Sequence, residues 1–311
     1  MENKEKNAGF GPIAGPGQSE PGQTGVHIQS PPPIGKIDNL KEQYTDAELV
    51  DVNNISVTVP DTRTPIVVLF GAPSCGKTVI LFRMIQFLEQ KCQLNVIPEE
   101  VFRPQSDRRY SKMCRDLKDM VYSQYAPPST DYGNFMLTKV LDRVGNPIVQ
   151  FLEAPGEHYF DGSSNLDFPA YINAIRTSVN RKKWVFIVEQ DWGGNADVRN
   201  RYAQKICAMQ GLIPPTDQVI FLFNKVDLKR GTQYKKNGEP NMAIFKRNIE
   251  EQYPGIFSRY QNTGLNKFFY GADNFRTICF SSGVFNPTND GRKTWTREKD
   301  SYCADFWNAI R

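Results

Sequence analysis

The chain has 311 residues, of which 39% are apolar, and its 38 basic and 34 acidic residues leave a net charge of +4. A chain of this length forms one large domain or two small ones, and its nearly balanced charge predicts no nucleic-acid partner. No run of about 18 apolar residues is present, so we expect no membrane span. Six cysteines without a Cys-x-x-Cys pair, and only two histidines, argue against a zinc site and favour a cytoplasmic protein.

The amino-terminal part of the chain differs in composition from the rest. Residues 1–36 are rich in Gly, Pro, Gln and Ser and contain few large apolar side chains. Because such a segment buries too little apolar surface to offset the entropy of ordering, we expect a disordered tail. Residues 37–63 are interpreted as a transitional segment, in which the alternating "ISVTV" (55–59) favours an edge strand.

From Thr64 onward, short apolar runs alternate with amphipathic segments. Four near-continuous apolar runs are typical of strands buried on both faces of a parallel sheet, namely 66–70, 184–188, 219–223 and 277–280. Amphipathic stretches between and after them predict helices from Lys77 to about Lys91 and near 168–180, 196–209, 241–252 and 300–310. The pattern predicts a three-layer αβα domain over residues 64–311 with a mostly parallel sheet.

One pair of predicted strands is arranged differently. The turn signal Val144-Gly145-Asn146-Pro147 separates "NFMLTKVLDR" from "PIVQFLE" and predicts a β-hairpin, which adds one antiparallel strand to the sheet. Residues 92–128, which precede it, are more polar. We interpret them as an insertion that contains a helix over 106–124.

The segment "GAPSCGKT" lies between the first apolar run and the first helix and matches the phosphate-binding pattern G-x-x-x-x-G-K-[ST]. Its glycines let the backbone turn tightly around an anion, so that amides at the positive end of the helix face a phosphate. The lysine supplies charge to the outer phosphates, and the threonine hydroxyl binds Mg²⁺. The predicted phosphate-binding residues are Gly71, Ser74, Cys75, Gly76, Lys77 and Thr78.

A second motif, Asn224-Lys225-Val226-Asp227, directly follows the apolar run 219–223. The Asp227 carboxylate can accept hydrogen bonds from the N1–H and the exocyclic amine of guanine, a pair that adenine lacks. This contact alone gives discrimination of about 2–4 kcal/mol. With both motifs in this order, the chain resembles the Ras-like P-loop GTPases. The resemblance implies that Asn224 ties the base-reading segment to the phosphate loop and that the Lys225 stem covers one face of the base.

The resemblance extends to the strand end "TICFSSG". Ser281 and Ser282 resemble the last base-contacting loop of these GTPases, which implies that the Ser282 amide faces the guanine O6 atom. Gly283 stands where the family usually has a lysine.

The metal ligands differ from the usual family pattern. Glu153-Ala154-Pro155-Gly156 stands where such GTPases usually carry Asp-x-x-Gly. The resemblance implies that Glu153 holds Mg²⁺ through a water molecule and that the Gly156 amide contacts the γ-phosphate. It also implies a second hydroxyl ligand in the first switch, for which Thr130 is the candidate and Ser129 the alternative.

Catalysis is predicted to depend on Lys77, Thr130 and Glu157. Glu157 is included because it follows Gly156, at the position of the family's water-orienting residue. Glu157 either orients the attacking water or acts as general base, or else its charge is repelled by the γ-phosphate and hydrolysis is slow. His158 is a second candidate for the same role.

An arginine finger is not evident, because no arginine stands immediately before the first-switch threonine. The arginines that could approach the site lie in the insertion, namely Arg108, Arg109 and Arg115. Without such a finger, unaided hydrolysis is expected to be slow and to depend on a regulatory partner or on self-association.

These motifs predict a molecular switch that binds GTP or GDP and hydrolyses GTP with Mg²⁺. The insertion and the loop 228–241 resemble elaborations of bacterial GTPases of the double-GTPase type. One alternative is a GTP-binding interaction or scaffold module with little or no hydrolysis, which Glu153 and Glu157 favour. A second is an ATP-dependent kinase.

Overall fold

The computed structural model describes residue 48 and residues 51–127, 135–162, 167–190, 195–229, 233–265, 268 and 273–311. The predicted tail, residues 1–36, lies outside them. Of the helices that these residues form, none combines the length and the apolar character needed to cross a bilayer.

Seven strands form one sheet in the order β2-β3-β4-β1-β5-β6-β7. Their bounds are β1 Ile66–Phe70, β2 Asn95–Pro98, β3 Met136–Leu141, β4 Pro147–Glu153, β5 Lys182–Glu189, β6 Gln218–Asn224 and β7 Arg276–Cys279. Strand β3 is antiparallel to both β2 and β4, and the remaining pairings are parallel. A single strand therefore runs against the others, which confirms the predicted mostly parallel sheet with one antiparallel strand.

Helices cover both faces of this sheet. The α-helices of the described residues are α1 Lys77–Gln90, α2 Arg108–Tyr122, α3 Gly156–Tyr159, α4 Ala170–Thr177, α5 Ala196–Met209, α6 Met242–Gln252 and α7 Ser301–Ile310. On one face, α1 packs against α2 and α7, and Phe306 of α7 contacts Phe151. On the other, Phe186 and Phe221 contact Tyr260. Strand residues of opposite parity point to opposite faces, so both faces are buried.

The predicted elements agree with these bounds, including the hairpin of β3 and β4 and the helix within 106–124. The edge strand expected at 55–59 is wrong, because this segment forms no strand ladder. Its Thr58 amide donates to the Phe102 carbonyl at 2.8 Å, and the Arg103 guanidinium donates to the Ser56 carbonyl. Side-chain contacts and one backbone hydrogen bond therefore fix the position of this segment, which pairs with no strand among the described residues.

The sheet edge is formed instead by β2, which the sequence analysis did not identify because the surrounding residues are polar. The Val96 amide donates to a Glu89 carboxylate oxygen at 3.1 Å, and Lys118 donates to the Val96 carbonyl at 2.7 Å. Charged side chains of α1 and α2 thus occupy backbone groups of the edge strand. Such protection prevents an edge from pairing with another chain.

A separate two-stranded hairpin, β8 Gly283–Pro287 and β9 Lys293–Arg297, follows β7 directly. The segment that precedes residue 128 pairs with it. The Ala126 amide donates to the Lys293 carbonyl at 2.8 Å, and the Trp295 amide donates to the Gln124 carbonyl at 2.9 Å. The hairpin therefore joins the end of β7 to the chain that leaves α2.

Candidate functional site

The phosphate loop connects β1 to α1 in a tight turn that only certain residues allow. A Cβ atom at Gly71 would lie 2.3 Å from the Cys75 sulfur, so the turn has no space for a side chain there. Gly76 has a φ of +89° and Ser74 a φ of +62°. Positive φ at two positions turns the backbone around the space in front of α1, as an anion-binding loop requires.

The lysine of the loop is directed back over this turn. Lys77 is buried, and its ammonium donates to the carbonyls of Gly71 at 3.2 Å and Ala72 at 3.1 Å. The positive charge is therefore held within the loop at the amino terminus of α1. A helix amino terminus and a nearby ammonium together favour a bound phosphate.

A hydroxyl and a carboxyl lie side by side next to the loop. The Thr78 hydroxyl donates to Oε1 of Glu153, the last residue of β4. Burial raises the pKa of Glu153 to about 8, although the Thr78 hydrogen bond and the Lys77 charge act in the opposite direction. The Oε2 atom of Glu153 is buried and has no hydrogen-bond partner among the described residues.

This arrangement fits a magnesium ion. Mg²⁺ prefers oxygen ligands and is usually held by one or two protein groups together with water and substrate phosphates. The Thr78 hydroxyl and the unpartnered Glu153 oxygen are such groups, and a bound cation would offset the cost of burying the carboxylate. The described residues contain no cluster of three His, Cys, Asp or Glu side chains suited to a metal. The predicted ligand Thr130, and its alternative Ser129, lie outside the described residues.

The start of helix α3 packs directly on the phosphate loop. A Cβ atom at Gly156 would lie 2.4 Å from the Pro73 nitrogen and 2.6 Å from the Ala72 carbonyl carbon. Only a glycine therefore allows this approach. The contact places the Gly156 backbone beside the phosphate loop.

The two candidates for the water-orienting role have different surroundings. Glu157 is exposed in the first turn of α3. His158 is largely covered, and its Nδ1 atom lies 2.7 Å from the Tyr171 hydroxyl of α4. Burial and the Lys77 charge lower the pKa of His158 to about 4. The histidine is thus neutral and engaged with α4, whereas the Glu157 carboxylate is open to water.

The base-reading motif contacts the phosphate loop. Asn224, the last residue of β6, donates from Nδ2 to the Cys75 carbonyl at 2.8 Å. Lys225 has a φ of +56°, and its ammonium lies 3.4 Å from the Ser74 carbonyl. The structure therefore brings the two predicted motifs together, although they are separated by about 150 residues.

Glu189, which sequence reasoning missed, supports this lysine. Its Oε2 atom accepts a hydrogen bond from the Lys225 ammonium at 2.8 Å. Burial raises the pKa of the Glu189 carboxyl, and the Lys225 charge opposes that shift. The signal available in the sequence was its position at the carboxyl end of β5, on the edge where β1, β4 and β6 also end.

Asp227, the acidic residue of the base-reading motif, contacts the loop that follows β7. The Ser281 hydroxyl donates to Oδ1 of Asp227, and the Val226 amide donates to the Phe280 carbonyl at 3.3 Å. Ser282 is buried, and its carbonyl accepts a hydrogen bond from the Trp295 indole at 2.9 Å. The sequence reasoning did not identify Trp295. The Asp227 carboxylate and the loop that contains Ser281 and Ser282 thus lie next to each other.

The three arginines considered for the finger role, Arg108, Arg109 and Arg115, lie on α2, which begins at Arg108. Arg108 and Arg115 are exposed.

The strand order, the loop before α1 and the edge occupied by both motifs define the class of fold. The chain forms a three-layer αβα domain with a mostly parallel sheet, as the resemblance to the Ras-like P-loop GTPases predicts. No family model and no curated protein matches the chain.

Similar solved structures include nucleolar GTP-binding protein 1 of Plasmodium falciparum, at 10% identity and a TM-score of 0.34, over 73% of this chain and 80% of that one. The Ski7 GTPase-like domain of S. cerevisiae bound to GDP and inorganic phosphate gives 12% identity and a TM-score of 0.39, over 85% and 52% of the two chains. The same domain bound to GTP gives 13% and 0.37, over 76% and 45%. The chain spans about half the length of these Ski7 chains.

Proposed function

We propose that this protein is a cytoplasmic molecular switch that binds GTP and GDP and hydrolyses GTP slowly with Mg²⁺. The observation that carries the proposal is the contact between Asn224 and the phosphate loop. This contact joins the segment that contains Asp227, the proposed reader of guanine, to the loop that contains Lys77, the proposed phosphate-binding residue. A single nucleotide can then contact both.

Recognition of the base follows from the arrangement of Asp227. Its carboxylate accepts from the guanine N1–H and exocyclic amine, while the Ser281 hydroxyl fixes its orientation. Adenine would leave this carboxylate unmatched, which costs more than the loss of a neutral hydrogen bond. The Lys225 stem, held by Glu189, covers one face of the ring.

Phosphate binding combines the loop amides, Lys77 and the metal. Thr78 and Glu153 would hold the magnesium ion, together with Thr130 of the first switch. When bound, the ion neutralises charge on the β- and γ-phosphates. Lys77 exchanges its loop carbonyls for phosphate oxygens, which carry more negative charge, and so stabilises the charge that develops during transfer.

Hydrolysis transfers the γ-phosphoryl group to water. The water oxygen forms a bond to the γ-phosphorus, and the bond from that phosphorus to the β–γ bridging oxygen breaks to release GDP and phosphate. Glu157 orients the water and accepts its proton, while the Gly156 amide donates to a γ-phosphate oxygen. Loss of the γ-phosphate releases these contacts, which is the usual switching logic of such proteins. A regulatory protein or a second copy that supplies an arginine would add about 10³–10⁵ in rate.

A second candidate function is a GTP-binding interaction module without appreciable hydrolysis. The exposed Glu157 carboxylate favours it, because a negative charge near the γ-phosphate repels the nucleotide oxygens. Calorimetry with GTP, GDP and ATP in Mg²⁺ tests nucleotide choice. We expect GTP and GDP to bind at least about 10-fold more tightly than ATP. Equal binding of GTP and ATP, or no binding, would contradict both candidates.

Single-turnover hydrolysis separates the two candidates. We expect the wild type to form GDP slowly, Glu157→Ala to be slower still with GTP bound, and Lys77→Ala to lose tight binding. Glu251→Ala, an exposed carboxylate of α6, is the matched control and keeps the wild-type rate. Tight GTP binding without GDP formation over hours would favour the interaction module.

A further inference from the structure

The hairpin β8–β9 lies against the loop that is proposed to read the base. Gly283, the first residue of β8, directly follows Ser281 and Ser282 and has a φ of +119°. A Cβ atom there would lie 2.1 Å from the Thr296 carbonyl oxygen and 2.8 Å from the Arg297 Cα atom. The backbone of the serine loop therefore contacts the backbone of β9 without a side chain between them.

Trp295 of β9 makes the specific contact between the hairpin and this loop. Its indole is buried, and the ring N–H donates to the Ser282 carbonyl at 2.9 Å. Its main-chain amide donates to the Gln124 carbonyl, and its ring stacks on Phe285 with centroids 5.9 Å apart. The indole is thus fixed by a backbone bond on one side and a ring on the other, so its N–H occupies a defined position.

The hydrogen bond fixes a peptide plane of the base loop. The Ser282 carbonyl and the Gly283 amide belong to one planar group, so a donor that holds the carbonyl also sets the direction of that amide. The adjoining Ser282 amide, which the resemblance to the Ras-like GTPases directs at the guanine O6 atom, is restrained through the same residue. Donors that are fixed before binding lose little entropy when an acceptor arrives.

We propose that Trp295 is a positioning residue for nucleotide specificity: its indole N–H holds the Ser282 carbonyl, so that the serine-loop amides recognise the 6-oxo group of guanine. This inference rests on the proposed GTP-binding function and adds a determinant that reads a different atom of the base from those that Asp227 reads. Asp227 reads the N1–H and the 2-amino group, whereas the loop held by Trp295 reads the oxygen at position 6.

The test compares three nucleotides that separate these two determinants. GDP carries both features, IDP lacks only the 2-amino group, and 6-thio-GDP replaces only the 6-oxygen, with sulfur, a weaker acceptor. Dissociation constants are measured in Mg²⁺ by displacement of a fluorescent GDP from the full chain. The variants are Trp295→Phe, which removes the indole N–H, and Val284→Ala, a control at an exposed position of the same hairpin that keeps this donor. Asp227→Ala serves as the second control.

We expect Trp295→Phe to raise the dissociation constants of GDP and IDP by about 3- to 10-fold, which corresponds to the loss of one hydrogen bond. The dissociation constant of 6-thio-GDP should rise much less. The GDP:6-thio-GDP preference then falls toward one while the GDP:IDP preference is kept. Asp227→Ala gives the reverse pattern, and Val284→Ala changes neither preference. If Trp295→Phe weakens all three nucleotides equally, or none, the proposed positioning role is wrong.

A chemical variant covers the case in which Trp295→Phe does not fold. Benzothienylalanine at position 295 keeps the shape of the indole and replaces its N–H with sulfur, and the same change in preference is expected. Failure of the proposed function has a different result: the wild type would then bind GDP no more tightly than ADP, whatever the hairpin variants do.

Discussion

The buried carboxyl of Glu153 gives the protein a stability that depends on pH in a defined direction. Without nucleotide and divalent cations, its pKa is raised from an ordinary 4.5 to about 8, chiefly by burial. Between these values the unfolded chain loses the proton and the folded protein keeps it, so the free energy of unfolding falls as the pH rises. One pKa unit corresponds to about 1.4 kcal/mol, and the whole shift to about 5 kcal/mol.

His158 acts in the opposite direction over a lower range. Its pKa falls from 6.5 to about 4, so the unfolded chain binds a proton in this range that the folded protein does not. This histidine therefore adds stability as the pH rises from 4 to 6.5 and contributes little change above that. From pH 6.5 to 8, the ionisation of Glu153 therefore dominates this pair and lowers the free energy of unfolding by about 2 kcal/mol.

Urea unfolding at pH 6.5 and pH 8.0 in EDTA measures this cost. Glu153→Gln keeps an acceptor for the Thr78 hydroxyl and removes the titration. We expect the wild type to lose about 2 kcal/mol more than this variant between the two pH values. Glu189, whose pKa is also raised, is present in both proteins and cancels in the difference. Glu251→Gln should behave as the wild type, and an equal loss in Glu153→Gln would refute the reasoning.

Two further predictions concern packing. Gly156→Ala places a Cβ atom 2.4 Å from the Pro73 nitrogen, so we expect calorimetry to show a free energy of unfolding lower by about 1–3 kcal/mol. Gly211→Ala is the control and should change this free energy little, because there is open space around Gly211. Arg103→Met removes a buried guanidinium that lies 2.9 Å from the carboxylates of both Glu48 and Asp107, and should cost about 3–5 kcal/mol in urea unfolding. A loss below about 1 kcal/mol would contradict the latter.

The parts of the fold that were predictable are those that depend on neighbouring residues in the sequence. Strand β1 is buried at every position, so its continuous apolar run identified it without reference to a partner. The phosphate loop and the segment from Asn224 to Asp227 are likewise short, local patterns. Their placement on one edge then followed from the rule that parallel strands end together.

The parts that were missed depend on partners far away in the chain. Strand β2 has an exposed, buried and exposed side chain in turn, and its stability comes from β3 and from the charged groups of Glu89 and Lys118. Trp295 has the appearance of an ordinary strand residue until its indole is seen against Ser282. The segment 55–59 was predicted to be a strand because its apolar and polar residues alternate. Among the described residues no strand pairs with it, so it forms none.

The two ends of the proposed nucleotide site are mechanically connected, and this bears on how specificity is achieved. Asn224 and Lys225 contact the carbonyls of Cys75 and Ser74, which are successive residues of the phosphate loop. Ser74 and Gly76, on either side of Cys75, both have positive φ, so the loop backbone has few alternative conformations. A displacement of the base-reading segment would therefore move the loop that holds the phosphates. Guanine recognition and phosphate binding are expected to reinforce each other, because each fixes a part of the backbone that the other uses.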